Sequence, residues 1–477
     1  MEQNQRNAIT LYAALAFVGV CLTAQADWPT YRGDNARSGI STDALSVPLT
    51  NTWTFQSKHP PEPAWKGEAK WDGWNKVYDL KSRQTFDYAL QVVLADDLVY
   101  FGSSADDKVY CLDAKSGREQ WSFFTEGPVR FAPTIHEGRA YFGSDDGRVY
   151  CLDARSGKTI WKVRVGPRDY RIAGNGRVIS AWPARAGVVI QDGILYTAGG
   201  MFPSEGVHLC ALEPETGKVL WRQIQTDLPA QGYLLASPTR LYVPTGRNNP
   251  VILDIKDGKR LRVVEGQGGT YALLSGNALI FGPGKVGQLG VVEGDVSDQL
   301  AQFSGNHMIV AAGKSYLHSD YDLSALDRDR YMSLARQRKA ALNEQEALSD
   351  QLKKQRSKKP ANANAAEISA MRKKILTLGR QIDEFSEEMR ECELWKVPCD
   401  YPLDLILVGN HLITGGENRV GAFEVQSGKQ VWDAEVNGRV FGLASSNHRL
   451  YVSTDLGSIH CFTGSQHAAV QNPAQRK

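Results

Sequence analysis

Apolar positions along the chain fall in short runs, and the runs recur at a fixed distance. "VYCLDAKSGREQW" (109–121) returns forty residues later as "VYCLDARSGKTIW" (149–161). "HLCALEPETGKVLW" (208–221) and "RVGAFEVQSGKQVW" (419–432) share the layout, "VILDIKDGKRL" (251–261) lacks the Trp, and "GSIHCFTG" (457–464) keeps the first half only. Each copy predicts a short strand, a tight turn and a second strand. Gly117, Gly157, Gly217, Gly258 and Gly428 are placed to supply the positive φ of the turn. Another hairpin precedes the unit, as in "GRAYFGSDDGRVY" (138–150).

Four strands in about forty residues is the period of a β-propeller blade. Strands such as "VYCLDA" are apolar on both faces, which suits sheets packed on both sides. Trp121, Trp161, Trp221 and Trp432 are expected to wedge between blades. Strand and turn signals give eight blades, at about 91–127, 130–167, 178–228, 232–266, 269–305, 306–399, 403–438 and 439–464. The last stops after its third strand, and "NTWTF" (51–55) reads as the missing fourth, supplied from the N-terminal side to close the ring. The expected fold is an all-β, eight-bladed propeller over 27–464. Seven blades is the alternative, because "NALIFGPGKVGQLGVVEGD" (277–295) is poorly patterned.

In blade six the period changes. Ile368, Met371, Ile375, Leu378, Ile382, Phe385 and Met389 follow alternating spacings of three and four. Tyr331, Leu334, Ala341, Leu348 and Leu352 form a weaker matching seam, and "SKKPANANAAE" (357–367) separates the two. This predicts an antiparallel coiled-coil hairpin over 322–394, projecting from the propeller as a docking arm or spacer.

At the N-terminus, Arg6 precedes an apolar run (11–24) ending in "AQA" (24–26), the pattern of a secretory signal over 1–26. The run is short for a membrane span. Export to the periplasm or beyond is expected, with cleavage after Ala26 or retention as an uncleaved anchor left open. Residues 465–477 read as a disordered tail. Cys111, Cys151, Cys210 and Cys461 sit at matching places in the repeats and read as small apolar core residues. Cys392 and Cys399 are candidates for a disulfide, which needs a bend between them. A net charge of +2 argues against nucleic acid as the main partner.

"CLDAKSGREQW", "CLDARSGKTIW" and "ALEPETGKVLW" resemble the A-x-D-x-x-T-G-K-x-x-W repeat of pyrroloquinoline quinone (PQQ) type propellers. In that pattern the Trp strand docks onto the preceding turn. "DWPTYRGDNARSGIS" (27–41) is similar to the opening of exported PQQ-repeat proteins from planctomycete-type bacteria. The resemblance implies one of two roles. Quinoprotein dehydrogenases hold PQQ and Ca²⁺ in an eight-bladed ring; BamB and its relatives share the fold and carry no cofactor. The dehydrogenase branch stacks the quinone on a disulfide between adjacent cysteines, and this sequence has no adjacent pair. "GPGKVG" (282–287) matches a dinucleotide fingerprint in letters, but no amphipathic helix follows it.

The most unusual stretch is "RDYRIAGNGRVISAWPARAGVVIQDG" (168–193), longer and more polar than a turn needs. It carries Arg168, Arg171, Arg177 and Arg185 with Asn175 and Trp182. One reading is a solvated loop whose arginines meet acids from other blades. The other is an anion site with Arg forks and a Trp stacking face, completed by Glu205, Arg247 and His318. Guanidinium groups without protein carboxylates would favour the ligand; groups each paired with Asp or Glu would favour structure. No metal ligands are assigned. The expected function is a binding or scaffolding module of the cell envelope, with a protein partner on the propeller face or arm; the alternative is a PQQ-dependent oxidoreductase using PQQ with Ca²⁺.

Overall fold

The computed structural model describes residues 27–67, 71–72, 76–78, 80–82, 84–174, 176–266, 268–294, 299–356 and 365–464. The expected signal segment (1–26) and tail (465–477) lie outside these residues. The chain is mostly β, with two long helices.

Six successive four-stranded antiparallel sheets span 93–124, 134–164, 189–225, 235–263, 271–304 and 307–398. An eight-stranded sheet follows, in which the long strand Gln430–Ser446 ends one four-stranded meander and begins the next. The N-terminal strand Leu49–Gln56 completes the second meander by pairing antiparallel with Ser458–Gly464, as "NTWTF" implied. The poorly patterned fifth unit is a regular four-stranded sheet. The third begins at Val189 rather than near 178; Arg171–Gly174 and Arg177–Ser180 form a separate hairpin ahead of it.

Neighbouring units are joined by one repeated contact. Trp121 donates from Nε1 to the Ala154 carbonyl at 3.0 Å, and its ring lies over Gly157 of the next unit. Trp161 does the same with Pro214 (2.8 Å) and Gly217, and Trp395 with Val425 (3.1 Å) and Gly428. Trp53, on the N-terminal strand, reaches Ala114 (3.1 Å) and Gly117 of the first sheet. Trp therefore docks onto the turn that follows it, not the preceding one. It is also half-buried rather than wedged: only Trp432 of the four named is buried. The glycines are required twice over. Gly157 has φ +68°, and a Cβ there would meet the Trp121 ring at 2.6 Å.

The helical arm leaves the sixth sheet between its third and fourth strands as α1 (Arg328–Arg356) and α2 (Ala365–Arg390). The expected limits, 322–394, were too wide. They took in the third strand, Asp322–Asp327, and the start of the fourth, Glu393–Pro398. The seam positions all face inward, with Ala341, Leu378 and Ile382 buried. Antiparallel pairing shows in contacts from Arg338 to Ser386 and from Gln345 to Ile375. The base does not merely project: Met332 is buried against the core of the fifth and sixth sheets. Cys392 and Cys399 are free and buried. They flank the extended strand Glu393–Pro398, which holds them roughly 20 Å apart, against about 6 Å for a disulfide.

Residues 28–41 take no place in a sheet's outer layers. They run along the first strands of successive sheets instead. Trp28 exchanges backbone bonds with Leu94; the Pro29, Asn35, Ala36 and Gly39 carbonyls accept from Ile135, Ala236, Leu274 and Leu407. Asn35 also donates to the Ile190 carbonyl, and Ile40 packs with Ile309. Residues 28–41 thus touch the first strands of seven units.

Two outcomes are expected. Trp121→Ala and Gly157→Ala should each destabilise, by about 3 and about 2 kcal/mol. The double variant should cost clearly less than the sum, because the alanine methyl then meets no ring. Denaturant unfolding of all four proteins checks this, and full additivity would contradict the stacked contact. Replacing 344–376 by a short Gly-Ser link should leave the sheets unfolding cooperatively, since Met332, Leu334 and Ala335 stay in place. A calorimetric scan that broadens into two steps would show the distal arm to be part of the core.

Candidate functional site

The hairpin Arg171–Gly174/Arg177–Ser180 raises Arg177 toward the described residues of a second N-terminal segment, 57–92, whose role was not readable from sequence. Its described residues meet loops that join the second and third strands of several units, and Gln91 reaches the long strand Gln430–Ser446. Ser57 bonds to Gly457, Glu62 to Ser104, Lys81 to Lys285, and Gln91 to the Phe441 carbonyl. Lys81 also reaches Asn306 at 3.1 Å and pairs with Asp320. The segment brings the Glu62 carboxylate to the arginine loop and Asp87 to Arg130.

Arg177 forks between Glu62 (3.2 Å) and Asp107 (2.6 Å) and donates to the Ala105 carbonyl. Arg171 pairs with Glu126 and, at 3.5 Å, with Asp169. Arg185 is fully buried and grips Asp145 through two bonds of 2.8 Å. Asp145 in turn accepts from Arg130 at 2.7 Å, and Arg130 donates to Asp87 and to the Glu62 carbonyl. The result is a buried chain Arg185–Asp145–Arg130–Asp87 that ties the segment to the second sheet and to the connection beyond it. Burial pushes the Asp145 carboxyl up, but Arg185 and Arg130 outweigh it and hold it below the usual carboxylate range.

The remaining residues expected at the site are dispersed. Trp182 is 3% exposed, bonds through Nε1 to the Glu205 carbonyl at 2.9 Å and packs edge-on to His208, so it offers no free stacking face. Glu205 itself is exposed in the short turn Pro203–Glu205. Arg247 lies over the Trp65 ring, 5.7 Å from its centroid. His318 is buried elsewhere, against the Tyr401 carbonyl and 5.7 Å from the His307 ring, and burial pushes its pKa down to about 4. Asn175 lies outside the described residues. Arg177 borders an open cleft of 410 Å³ with His59, Pro60, Glu62 and Lys66. Sequence reasoning missed Glu62, Asp87, Asp107, Arg130 and Asp145. Asp107 and Asp145 sit in "ADD" and "SDD" turns that read as loop tips, and Glu62 hides in "PPEP".

A family model described as outer membrane protein assembly factor BamB matches residues 53–181 and 145–307. The chain belongs to this BamB-like PQQ-repeat family. No curated protein sequence matches it. Solved structures share the β-propeller fold at low identity. BamB from Moraxella catarrhalis is 14% identical with a TM-score of 0.53, over 87% of this chain and 99% of its own. Quinohemoprotein alcohol dehydrogenase from Comamonas testosteroni is 13% identical with a TM-score of 0.56, over 92% and 80%. The computationally designed Ika8 protein is 11% identical with a TM-score of 0.54, over 79% and 96%.

Members of this family therefore share a fold with cofactor enzymes, and the arginine loop can be tested against the cofactor. PQQ carries several carboxylates, so a pocket for it must offer cations that the protein has not already neutralised. Arg171, Arg177 and Arg185 each meet a protein carboxylate. Among the described residues, no three His, Cys, Asp or Glu side chains gather to hold a metal ion. With its cations already paired to protein carboxylates, the loop has the geometry of a structural clamp.

Arg185→Ala should cost about 3–5 kcal/mol, because it strands Asp145 in the interior. The double change Arg185→Leu with Asp145→Leu should recover much of that loss. Asp145 titrates lower in the folded protein, so its contribution is full above about pH 4 and fades as pH falls through its depressed native value. Asp145→Asn should flatten that acid limb in pH-dependent melting, and an unchanged limb would show that the pair contributes nothing there.

Proposed function

We propose that this protein is a closed, eight-bladed propeller exported to the cell envelope, where it binds or scaffolds other proteins rather than oxidising a substrate. The closed ring is supported by the two meanders of the eight-stranded sheet, counted with the six separate sheets, and by Trp53 bridging the last unit to the first. The observation that carries the functional reading is the arrangement of residues 28–92. One part runs along the first strands of the units, and the other lies across their loops. Of the arginines that could have gripped an anionic cofactor, Arg177 holds this segment through Glu62, while Arg171 and Arg185 pair with Glu126 and Asp145.

The description of the matching family, an outer membrane protein assembly factor, supports an envelope role. No helix among the described residues is long and apolar enough to cross a membrane. The partner surface would then be the rim, the uncovered face or the arm. Oxidation through PQQ remains the competing reading, since the quinohemoprotein dehydrogenases share the fold.

One titration separates the two. Adding PQQ and Ca²⁺ to the purified protein should produce no thermal stabilisation and no reduction of an acceptor dye, because a ligand of the folded state raises its melting point by mass action. Calcium-dependent dye reduction would establish the oxidoreductase. Fractionation of cells expressing the tagged chain should place it outside the cytoplasm; a cytoplasmic pool alone would remove the envelope reading.

A further inference from the structure

One boundary between units departs from the repeated contact. The docking tryptophan stands opposite a fixed position of the third strand: Trp121 opposite Cys111, Trp161 opposite Cys151, Trp395 opposite Ala325. In the fourth sheet Arg262 holds this place, opposite Ile252, and still donates to the Gly294 carbonyl of the next sheet. In the fifth sheet the residue is Ala301, opposite Val291. The turn that a tryptophan here would meet is also gone, because the arm stands between the third and fourth strands of the sixth sheet. An open groove of 860 Å³ is left between the fifth sheet and the base of the arm.

Building on the protein-binding reading above, we propose that this groove takes a short extended segment of a partner protein. The segment pairs with the free edge of Ala301–Ser304 as a fifth strand of that sheet and sets an aromatic side chain against Ala301, where the other units carry their own. Three observations choose this occupant. Every residue from 299 to 304 lines the groove, whereas the opposite wall offers Asp322, Ser324 and Leu326, alternate residues of one strand. An unbroken run marks the edge of a strand and alternation marks a face. Ala301–Ser304 is the last strand of its sheet, so the backbone groups of that edge are open to a further strand. The dimensions then choose between an extended segment and a helix. Six extended residues span about 20 Å, so the groove averages about 43 Å² in section, about 7 Å across. A strand spaced about 4.8 Å from its neighbour fits that width, and a helix at least about 10 Å wide does not. Charge supplies the third observation. Lys396 pairs with Asp322 and Arg390 with Glu387. Arg338 and Glu393 also line the groove and, among the described residues, meet no opposite charge; Arg338 donates to the Ser386 hydroxyl at 2.9 Å. A segment with an acid for Arg338 and a base for Glu393 enters in one direction only.

The test uses the full chain and a phage-displayed library of random peptides about eight residues long, enough to cover the strand edge. Enriched peptides are synthesised with a fluorophore, and their binding is read by anisotropy against the native chain, Ala301→Trp and Arg338→Glu. Ala301→Trp fills the groove with the side chain the other units carry. Arg338→Glu reverses one charge on the arm without touching the sheet core, and a melting curve checks that both variants fold. Each peptide is also made with a single N-methyl group at every position in turn, since a methylated nitrogen cannot donate to a strand edge.

Enriched peptides should share an aromatic residue and an acid. Both variants should weaken binding by about tenfold or more, and replacing the peptide acid by Lys should restore binding to Arg338→Glu. N-methylation should weaken binding by about tenfold at alternate positions and leave the positions between them nearly unchanged. Methylation that acts without alternation would overturn the strand pairing, as would a selection that enriches nothing. Peptides that bind both variants as they bind the native chain would overturn the groove and leave the protein-binding role standing. Calcium-dependent dye reduction with PQQ would remove that role itself, so the two failures are told apart.

Discussion

The structure depends on how the first-strand edges of its sheets are satisfied. A strand at the end of a sheet presents backbone groups that must find partners once water is gone. Here the first strands meet residues 28–41, whose carbonyls accept from Ile135, Ala236, Leu274 and Leu407. Arg37 secures the segment. It is fully buried and donates to the Thr30 hydroxyl and to the carbonyls of Tyr31, Asp34, Val188 and Leu234. Carbonyl dipoles stand in for its hydration, and the cost remains visible, since burial pushes its pKa down to about 10. Arg32 is held beside it by Asp404 at 3.0 Å.

The same logic explains why the arginine-rich loop is structural. Arg130, Asp145 and Arg185 are buried, where an unpaired charge would be very costly, and Asp145 is shared between the two cations. The clamp joins the segment at 57–92 to the second sheet. Recognition then falls to surfaces these segments do not cover.

The repeat was legible because one packing problem recurs. Trp, Gly and the acidic turn residue are all local, and they identified the units, their order and the N-terminal closing strand. The arm was legible from its change of period. What could not be read was anything set by contacts between distant segments. Residues 28–41 and 57–92 have no periodicity, so nothing in them announces that one runs along the sheets and the other across their loops. The loop at 168–193 drew attention through its arginines, yet their meaning lay in Glu62, Glu126 and Asp145, on earlier segments. The direction of Trp docking was misread for a related reason: the letters of one repeat do not say which neighbour its tryptophan will meet.

The pairing of Leu49–Gln56 with Ser458–Gly464 also governs how the molecule is made. A chain emerging from its N-terminus must carry the strand Leu49–Gln56 without its ladder partner until about four hundred residues have followed. Loops that long are slow to close, and unpaired strand edges invite wrong pairing in the interval. Each completed unit shelters the one before it, but the first and last wait for each other. Assembly of this protein is therefore a race between the pairing of these two distant strands and aggregation.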